Sequence, residues 1–173
     1  MREWIPVTTS PKGRLVLTAV KEFGPRPFDE VTVGELAAAA NVTTGAIYHQ
    51  FGSKLGLYAF VRDDVERRLL DRMEGAAAAG NQADRSAAVK AALLVGFDFA
   101  VREGFLRILG EPPAGAHPDR LADLLSAETA PASPVLGRLL AAAWRAALAA
   151  VADGSEPQLA RAALLSMEFQ LPT

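Results

Sequence analysis

A short stretch near residue 45 combines small, hydroxyl-bearing and aromatic side chains that could form hydrogen bonds with a partner. Ile47 and Phe51 lie four residues apart, so they share the inward face of a predicted helix over 44–50. The opposite face then presents Thr44, Gly45, Tyr48 and His49, and Thr43 is the residue that caps the helix. The amides and dipole at the start of a helix favour phosphate. The four residues on this outward face are therefore the candidate binding surface of the stretch.

Signals for catalysis and for metal binding are missing from the sequence. It contains no Gly-rich phosphate loop, no Gly-x-Ser-x-Gly nucleophile motif, no His-Glu-x-x-His zinc motif and no paired carboxylates in a plausible cleft. With no cysteine and only two histidines, a zinc site has little support, and His117 is interpreted as a solvated residue of a proline-rich loop. We therefore expect no enzyme activity, no cofactor and no bound metal.

Local capping signals predict the elements that position residues 43–49. Ser10-Pro11 opens a first helix that runs to about Phe23. Thr32 and Glu35 form a capping box that opens a second helix, which ends near residue 39. Asn41-Val42-Thr43 is then a three-residue turn, and asparagine tolerates the left-handed backbone that a turn needs. Two short helices joined in this way make a helix-turn-helix.

Residues 15–60 resemble the DNA-binding domain of the tetracycline-repressor (TetR) family. The resemblance is carried by Val31-Thr32-Val33, Leu36-Ala37 and Ala40-Asn41-Val42-Thr43-Thr44-Gly45-Ala46-Ile47-Tyr48-His49-Gln50-Phe51-Gly52-Ser53-Lys54, at matched spacing. It implies a DNA-binding regulator of transcription, usually a repressor, that acts as a homodimer on a palindromic operator and responds to a small-molecule effector. The DNA-binding residues that it implies are Thr32, Thr43, Thr44, Gly45, Tyr48, His49 and Lys54.

The implied DNA contacts depart from the commonest pattern of base recognition. Gly34 stands where the family usually has a polar or charged residue, so nothing at this position can reach a base. The third helix lacks Arg and Lys, which predicts that specificity rests on His49, Thr44, methyl contacts and DNA shape. Lys54 is expected to be exposed and to hold a phosphate. Tyr48 and His49 have plainer alternatives, as a half-buried packing residue and a solvated helix residue.

Composition and charge indicate a cytoplasmic protein built from helices. The 173 residues are 50% hydrophobic, and no alternating pattern typical of strands occurs. The net charge is −2, but residues 1–60 hold six basic and five acidic side chains against 12 and 15 in the remainder. No secretory leader is evident, and the longest apolar run, 141–152, is broken by Arg145. We predict an all-α fold with a three-helix helix-turn-helix DNA-binding domain over 1–54 and a helical ligand-binding and dimerisation domain over 55–173.

The second half of the chain offers one candidate ligand site. Helices are predicted at about 84–103, 118–128, 134–152 and 157–170, with a loop over 110–118. Phe97, Val101 and Phe105 share one helical face, beside an Asp98–Arg102 pair. This face is either part of an apolar core or the wall of a pocket. The predicted ligand-binding residues are Phe97, Val101, Arg102, Phe105 and Trp144.

A broad apolar face on the 134–152 helix, continued by the last helix, predicts a dimer interface. Its members are Leu136, Leu140, Ala143, Trp144, Ala147, Leu148 and Val151, joined by Leu159, Ala163 and Met167. A large aromatic beside alanine is typical of a close-packed interface, and the resemblance implies that these helices pair with their mates in a four-helix bundle. The alternative is that this face is buried within one chain.

A second function remains open beside that of a regulator. The chain is alternatively a helical ligand-binding or protein-interaction module with a vestigial DNA head. Salt-dependent binding to palindromic DNA would separate the two hypotheses.

Overall fold

The computed structural model describes residues 9–80, 84–113, 117–130, 134–169 and 171. Within these ranges the chain forms helices and no strands, which confirms the predicted all-α fold. The helices are α1 Pro11–Phe23, α2 Val33–Ala39, α3 Thr44–Phe51, α4 Lys54–Ala79, α5 Arg85–Glu103, α6 Leu106–Gly110, α7 Arg120–Glu128, α8 Pro134–Ala152 and α9 Pro157–Leu165, with a 3₁₀ turn at Phe28–Glu30. The chain divides into two compact units, Met1–Val65 and Glu66–Thr173. The functional boundary at residue 54 stays a prediction.

The N-terminal unit packs α2 and α3 against α1. The predicted start of α1 is confirmed, because the Ser10 hydroxyl accepts a hydrogen bond at 2.9 Å from the amide three residues on, and Pro11 follows in the first turn. The predicted apolar stripe of α1 is fully buried and consists of Leu15, Ala19 and Phe23. The Phe23 ring meets the Tyr58 ring edge to face, with 5.1 Å between the centroids.

The turn between α2 and α3 closes without a glycine. Asn41 has a φ of +52°, the left-handed backbone expected of it. The Val42 N–H donates to the Ala37 carbonyl at 3.0 Å, the bond that ends a helix in a Schellman motif. Leu36 of α2 and Ile47 of α3 are fully buried. The turn therefore holds the two helices in a defined arrangement, as the capping signals predict.

The C-terminal unit packs α5, α6, α7 and α9 around α8. Trp144, in the middle of α8, is fully buried, and its Nε1–H donates to the Leu93 carbonyl at 3.0 Å. At Gly137, α8 approaches α7 so closely that a Cβ would lie 2.3 Å from the Ser126 nitrogen. Only glycine permits this approach of the two backbones.

Several boundaries in the C-terminal unit differ from the predicted ones. α5 ends at Gly104, which has a φ of +75°, and Phe105 is the residue that precedes α6. Phe105 therefore does not continue the face of α5, contrary to the sequence prediction. α9 ends at Leu165 instead of near residue 170, and residue 170 lies outside the described residues, as do residues 114–116 of the predicted loop.

The predicted pairing of Asp98 with Arg102 is wrong. Arg161 of α9 donates from Nε and Nη2 to the Asp98 carboxylate at 2.8 and 3.0 Å, whereas Arg102 donates to Glu103 at 3.1 Å. The two parallel bonds suit a guanidinium better than a single contact four residues away. They raise the pKa of Arg161 above its ordinary value. This ion pair links α9 to α5.

In the part of the chain that the structure describes, one segment, Val135–Ala152, has the length and composition of a membrane span. It makes up nearly all of α8. Arg145 in its middle is buried, and its Nη1 and Nη2 donate to the Asp119 carboxylate at 2.8 and 2.6 Å. Asp119 also caps α7 by accepting from the Ala122 amide at 3.0 Å. The charge in α8 is therefore paired inside the protein.

Candidate nucleic-acid interface

The exposed face of α3 carries the residues that the sequence singled out. Thr43, Thr44, Gly45, Tyr48 and His49 are all exposed, whereas Ile47 on the opposite face is fully buried. Tyr48 retains 55% of its accessible surface, so it is not the half-buried packing residue of the plainer alternative. Gln50 is also exposed on this helix. The sequence reasoning missed it, although a polar amide beside His49 was the available signal.

The first turn of α3 is open. Thr43 lies at the N-cap position with an extended backbone, but its side chain makes no capping hydrogen bond. The first amides of a helix have no partner within the helix. The N–H groups of Thr44 and Gly45 therefore lie at an exposed helix start without a side-chain acceptor from Thr43. Amides in this position bind anions, phosphate among them.

Gly45 leaves the surface of this turn free of side-chain atoms. A Cβ at Gly45 would meet only the Thr43 Oγ1, at 3.7 Å, which is an ordinary van der Waals distance. Packing inside the protein therefore does not require glycine here. What glycine provides is close access to the backbone of α3 from outside.

The first turn of α2 is closed by its own side chains. The Thr32 N–H and hydroxyl donate to the Glu35 Oε2 at 2.8 and 2.7 Å, and the Thr32 Oγ1 accepts from the Glu35 N–H at 3.2 Å. This confirms the predicted capping box. The bonds from Thr32, with a further one from Arg26, hold the pKa of Glu35 below its ordinary value. A phosphate at Thr32 would have to compete with this carboxylate.

Lys54 is not the exposed side chain that the sequence predicted. It is half-buried, and its Nζ donates to the Phe28 and Val31 carbonyls, each at 2.9 Å. The ammonium also lies 4.0 Å from the centroid of the Phe28 ring, within the range of a cation–π contact. The sequence alone could not predict this arrangement, because the Val31 and Phe28 carbonyls belong to residues 23 and 26 positions before Lys54.

Other basic side chains of the N-terminal unit are also engaged within it. Lys12 lies over the Phe60 ring at 5.0 Å, and Arg26 pairs with Glu22 at 3.0 Å. Arg14 donates to the Ala40 carbonyl at 3.0 Å. The exposed face of α3 consequently offers amides, hydroxyls, a phenol and an imidazole rather than a row of cations.

Solved structures of bacterial regulators share the fold of this chain. One is a TetR-family transcriptional regulator from Pectobacterium atrosepticum, 22% identical, with a TM-score of 0.66 over 92% of this chain and 90% of that one. A TetR-like transcriptional regulator from Rhodococcus sp. RHA1 is 21% identical, with a TM-score of 0.68 over 90% and 92%. A transcriptional regulator from Aquifex aeolicus VF5 is 16% identical, with a TM-score of 0.58 over 90% and 95%. No curated protein matches the chain at a significant level.

A family model also matches part of the N-terminal unit. Residues 15–60 match the model of the family described as "Bacterial regulatory proteins, tetR family". The likeness to the TetR family thus lies in this N-terminal region, and the solved structures show that the chain has a similar fold. TetR-family regulators are DNA-binding regulators of transcription and typically repressors. The match covers α1, α2, α3 and the beginning of α4, which together carry the exposed face of α3.

The C-terminal unit does not gather the predicted ligand residues into one described site. Phe97 and Trp144 are fully buried, and Phe105 is buried with its ring 5.5 Å from Phe99. Val101 is half-buried, whereas Arg102 is exposed and pairs with Glu103. The core interpretation of Phe97 and Trp144 therefore has direct structural support.

The face of α8 predicted to form the dimer interface is partly internal. Leu140, Trp144 and Leu148 are buried within the C-terminal unit, so their side chains do not line an outer surface. Leu136, Ala143, Ala147, Val151 and Met167 are half-buried, and Leu159 and Ala163 are exposed. The exposed apolar face of α8 is instead formed by Val135, Leu139, Ala142 and Ala146. Because α8 is apolar nearly all round, more than one side of it could meet a partner, and the predicted dimer interface stays a prediction.

Proposed function

We propose that this chain is a dimeric repressor that binds a palindromic operator with α3 in the major groove of each half-site. The observation that carries the proposal is the open first turn of α3, where exposed amides and hydroxyls surround Gly45. In this arrangement the amides of Thr44 and Gly45 and the hydroxyl of Thr43 bind phosphate. Half-sites then lie about one DNA turn, about 34–36 Å, or a multiple of it apart.

Base recognition in this proposal depends on the exposed polar groups of α3. His49 and Gln50 reach base edges, the Tyr48 hydroxyl donates to a phosphate, and the Thr44 methyl meets a thymine methyl. Because α3 carries no Arg or Lys, the commonest bidentate contact to guanine is missing from this helix. Thr32 and Lys54 are left out of the direct contacts, since both already make hydrogen bonds inside the N-terminal unit.

The proposed dimer forms through the exposed apolar side chains of α8 and α9. Leu139 and Leu159 retain 61% and 68% of their accessible surface, and the alanines beside them permit close approach of a second copy. A Leu139→Glu variant is expected to be a folded monomer, because the new charge lies on the surface of the protomer. Leu140→Glu is the matched contrast, since it places a charge in the core and unfolds the unit. Light scattering with circular dichroism measures both effects, and a dimeric Leu139→Glu variant would contradict this interface.

The proposal includes a small-molecule effector held by the C-terminal unit. Support comes from the likeness of residues 15–60 to the TetR family, in which a ligand-binding domain follows the DNA-binding one. The protein is expected to have one conformation that binds DNA and one that does not. An effector that binds the second conformation more tightly lowers operator affinity, and the ratio of its affinities for the two conformations limits the size of the effect. Thermal-shift screening with small apolar and amphipathic compounds tests this part. A compound at a hundredfold excess over its dissociation constant stabilises the fold by about 2.7 kcal/mol.

The proposed function also implies a location. A regulator that binds operator DNA acts in the cytoplasm, where the DNA of a bacterium lies.

Selection from a random duplex library by the purified protein tests the proposed function. The expected result is a palindromic sequence whose binding weakens steeply with salt, because phosphate contacts release counterions. Failure to enrich any sequence, with the protein folded and dimeric, would overturn the proposal. That outcome would favour the module with a vestigial DNA head.

A further inference from the structure

Two basic side chains hold the ends of α2 from outside the helix. Lys54, at the start of α4, donates to the Val31 carbonyl at 2.9 Å, just before the N-cap residue of α2. Arg14, in α1, donates from Nε to the carbonyl of the C-cap residue Ala40 at 3.0 Å. The two contacts thus bracket a helix of seven residues. A helix this short is marginal by itself and depends on tertiary contacts.

We infer that Lys54 and Arg14 are positioning residues for DNA recognition, which set the place of α2 and hence of α3. This inference rests on the proposed function. It assigns Lys54 a part different from the phosphate contact that the sequence resemblance implies.

The geometry at Lys54 accounts for most of its hydrogen-bonding capacity. An ammonium has three N–H donors, and two of them bind the Phe28 and Val31 carbonyls at 2.9 Å. The Phe28 ring covers the ammonium at 4.0 Å from its centroid. Phe28 is itself fixed against the Phe23 and Tyr58 rings at 5.8 and 5.1 Å. Lys54 therefore joins the start of α4 to the aromatic cluster and to the residue that leads into α2.

The geometry at Arg14 serves the other end of α2 and the turn. Its Nη1 donates to the Thr9 carbonyl at 2.8 Å, and its Nη2 donates to the Asn41 carbonyl at 3.4 Å. Carbonyls at the end of a helix lack intrahelical partners and favour a cation. Asn41 is the residue with the left-handed backbone, which is less favourable for asparagine than for glycine. Arg14 therefore stabilises the turn from which α3 departs.

This role makes a specific prediction for operator binding by Lys54→Met and Arg14→Met. Each variant loosens α2, so a smaller fraction of the protein has α3 in place, and apparent affinity falls in proportion to that fraction. We expect a loss of about tenfold at low temperature, with the slope of log affinity against log salt within about 0.3 of the wild-type slope. A lost phosphate contact would instead reduce that slope by about 0.9. Lys21→Met, which changes an exposed lysine of α1, is the matched control and is expected to leave α2 unchanged.

Native-state hydrogen exchange without DNA gives the second measurement. Amides of α2 are expected to exchange faster in both methionine variants, while those of α5 keep their wild-type protection. If either methionine variant fails to fold, the comparison uses Arg14→Lys and Lys54→Arg. Arg14→Lys, with one ammonium for three carbonyls, is expected to loosen α2, whereas Lys54→Arg retains the donors and restores both protection and affinity.

The possible outcomes separate this inference from the proposed function. Wild-type protection of α2 in Lys54→Met and Arg14→Lys would overturn the positioning role. So would a salt slope lower by about 0.9 in Lys54→Met with α2 protection intact, because Lys54 would then be a phosphate contact. A wild-type protein that binds no DNA would overturn the proposed function, while the exchange data would still decide whether α2 is held by the two cations.

Discussion

α2 and α3 are neighbouring helices of seven and eight residues that begin in opposite ways. Each has a threonine at its N-cap with an extended backbone. At α2 the cap residue Thr32 and the carboxylate of Glu35 satisfy each other, so the helix start is closed. At α3 the cap residue Thr43 makes no such bond, although a glycine follows the cap by two residues in both helices. The cap side chains therefore satisfy the start of α2, whereas the first amides of α3 have no side-chain acceptor from their cap residue.

The largest expected effect comes from removing each cap hydroxyl in turn. Thr32→Ala should lower the free energy of unfolding by about 1–2 kcal/mol, the cost of a lost N-cap. Thr43→Ala should change it by less than about 0.5 kcal/mol, because no capping bond is lost. Thr43→Ala should instead lower operator affinity about tenfold, because the hydrogen bond from the Thr43 hydroxyl to a charged phosphate is lost. Urea unfolding and fluorescence anisotropy with operator DNA measure the two quantities. Equal destabilisation by the two substitutions would erase the contrast between the helix starts.

A smaller effect is expected from adding one methyl group to either helix start. A Cβ at Gly45 or at Gly34 meets only a threonine oxygen, at 3.7 and 4.0 Å, so both alanine variants should fold. Gly45→Ala should nonetheless weaken operator binding about fivefold, or about 1 kcal/mol, because the methyl group holds the DNA backbone away from the amides of α3. Gly34→Ala should leave binding unchanged. Anisotropy titrations at one salt concentration compare them, and an equal loss in both variants would place α2 as close to the DNA as α3.

The contrast also explains which features of this region could be predicted from the sequence. A capping box needs two residues three positions apart, and the Asn41 turn needs one residue that tolerates a positive φ. Both can therefore be predicted from a few neighbouring residues. The carbonyls that Lys54 binds, and the Ala40 carbonyl that Arg14 binds, belong to residues more than 20 positions away. No local pattern distinguishes a lysine that holds backbone carbonyls from one that faces solvent. That information exists only once α1 and α4 have packed.

The buried side of α8 could not be predicted from the sequence for a different reason. The buried residues Leu140, Trp144 and Leu148 are spaced four apart. The exposed residues Val135 and Leu139 have the same spacing, offset by one residue along the helix. Because alanines fill the remaining positions, hydrophobic periodicity does not select the buried side of this helix. The side is chosen by tertiary contacts, such as the Trp144 bond to Leu93 and the close approach at Gly137.

The smallest expected effect comes from removing the charge that closes α2. Glu35→Gln keeps the capping box, because glutamine can take the same place at the third position of a helix. It removes a carboxylate that faces the same side as any phosphate near Thr32. Operator binding should tighten about threefold, the size that Coulomb's law in water gives for two unit charges about 7 Å apart. Weaker binding by Glu35→Gln in anisotropy titrations would mean that the carboxylate itself supports the DNA-bound form.

The pH dependence of stability distinguishes the contribution of the Glu35 charge from that of the hydrogen bonds its side chain makes. The bonds from Thr32 hold the pKa of Glu35 below its ordinary value of 4.5, so the unfolded chain takes up this proton at a higher pH than the folded one. The charged cap therefore stabilises the fold above pH 4.5, and this contribution is lost as the pH falls through the folded pKa. Glu35→Gln has no such proton to gain. Its melting temperature should lie below that of the wild type at pH 7, and the gap should narrow toward pH 3. If this difference in melting temperature were constant from pH 7 to pH 3, the charge of the Glu35 carboxylate would not stabilise the start of α2. The starts of α2 and α3 would then differ only in their hydrogen bonds.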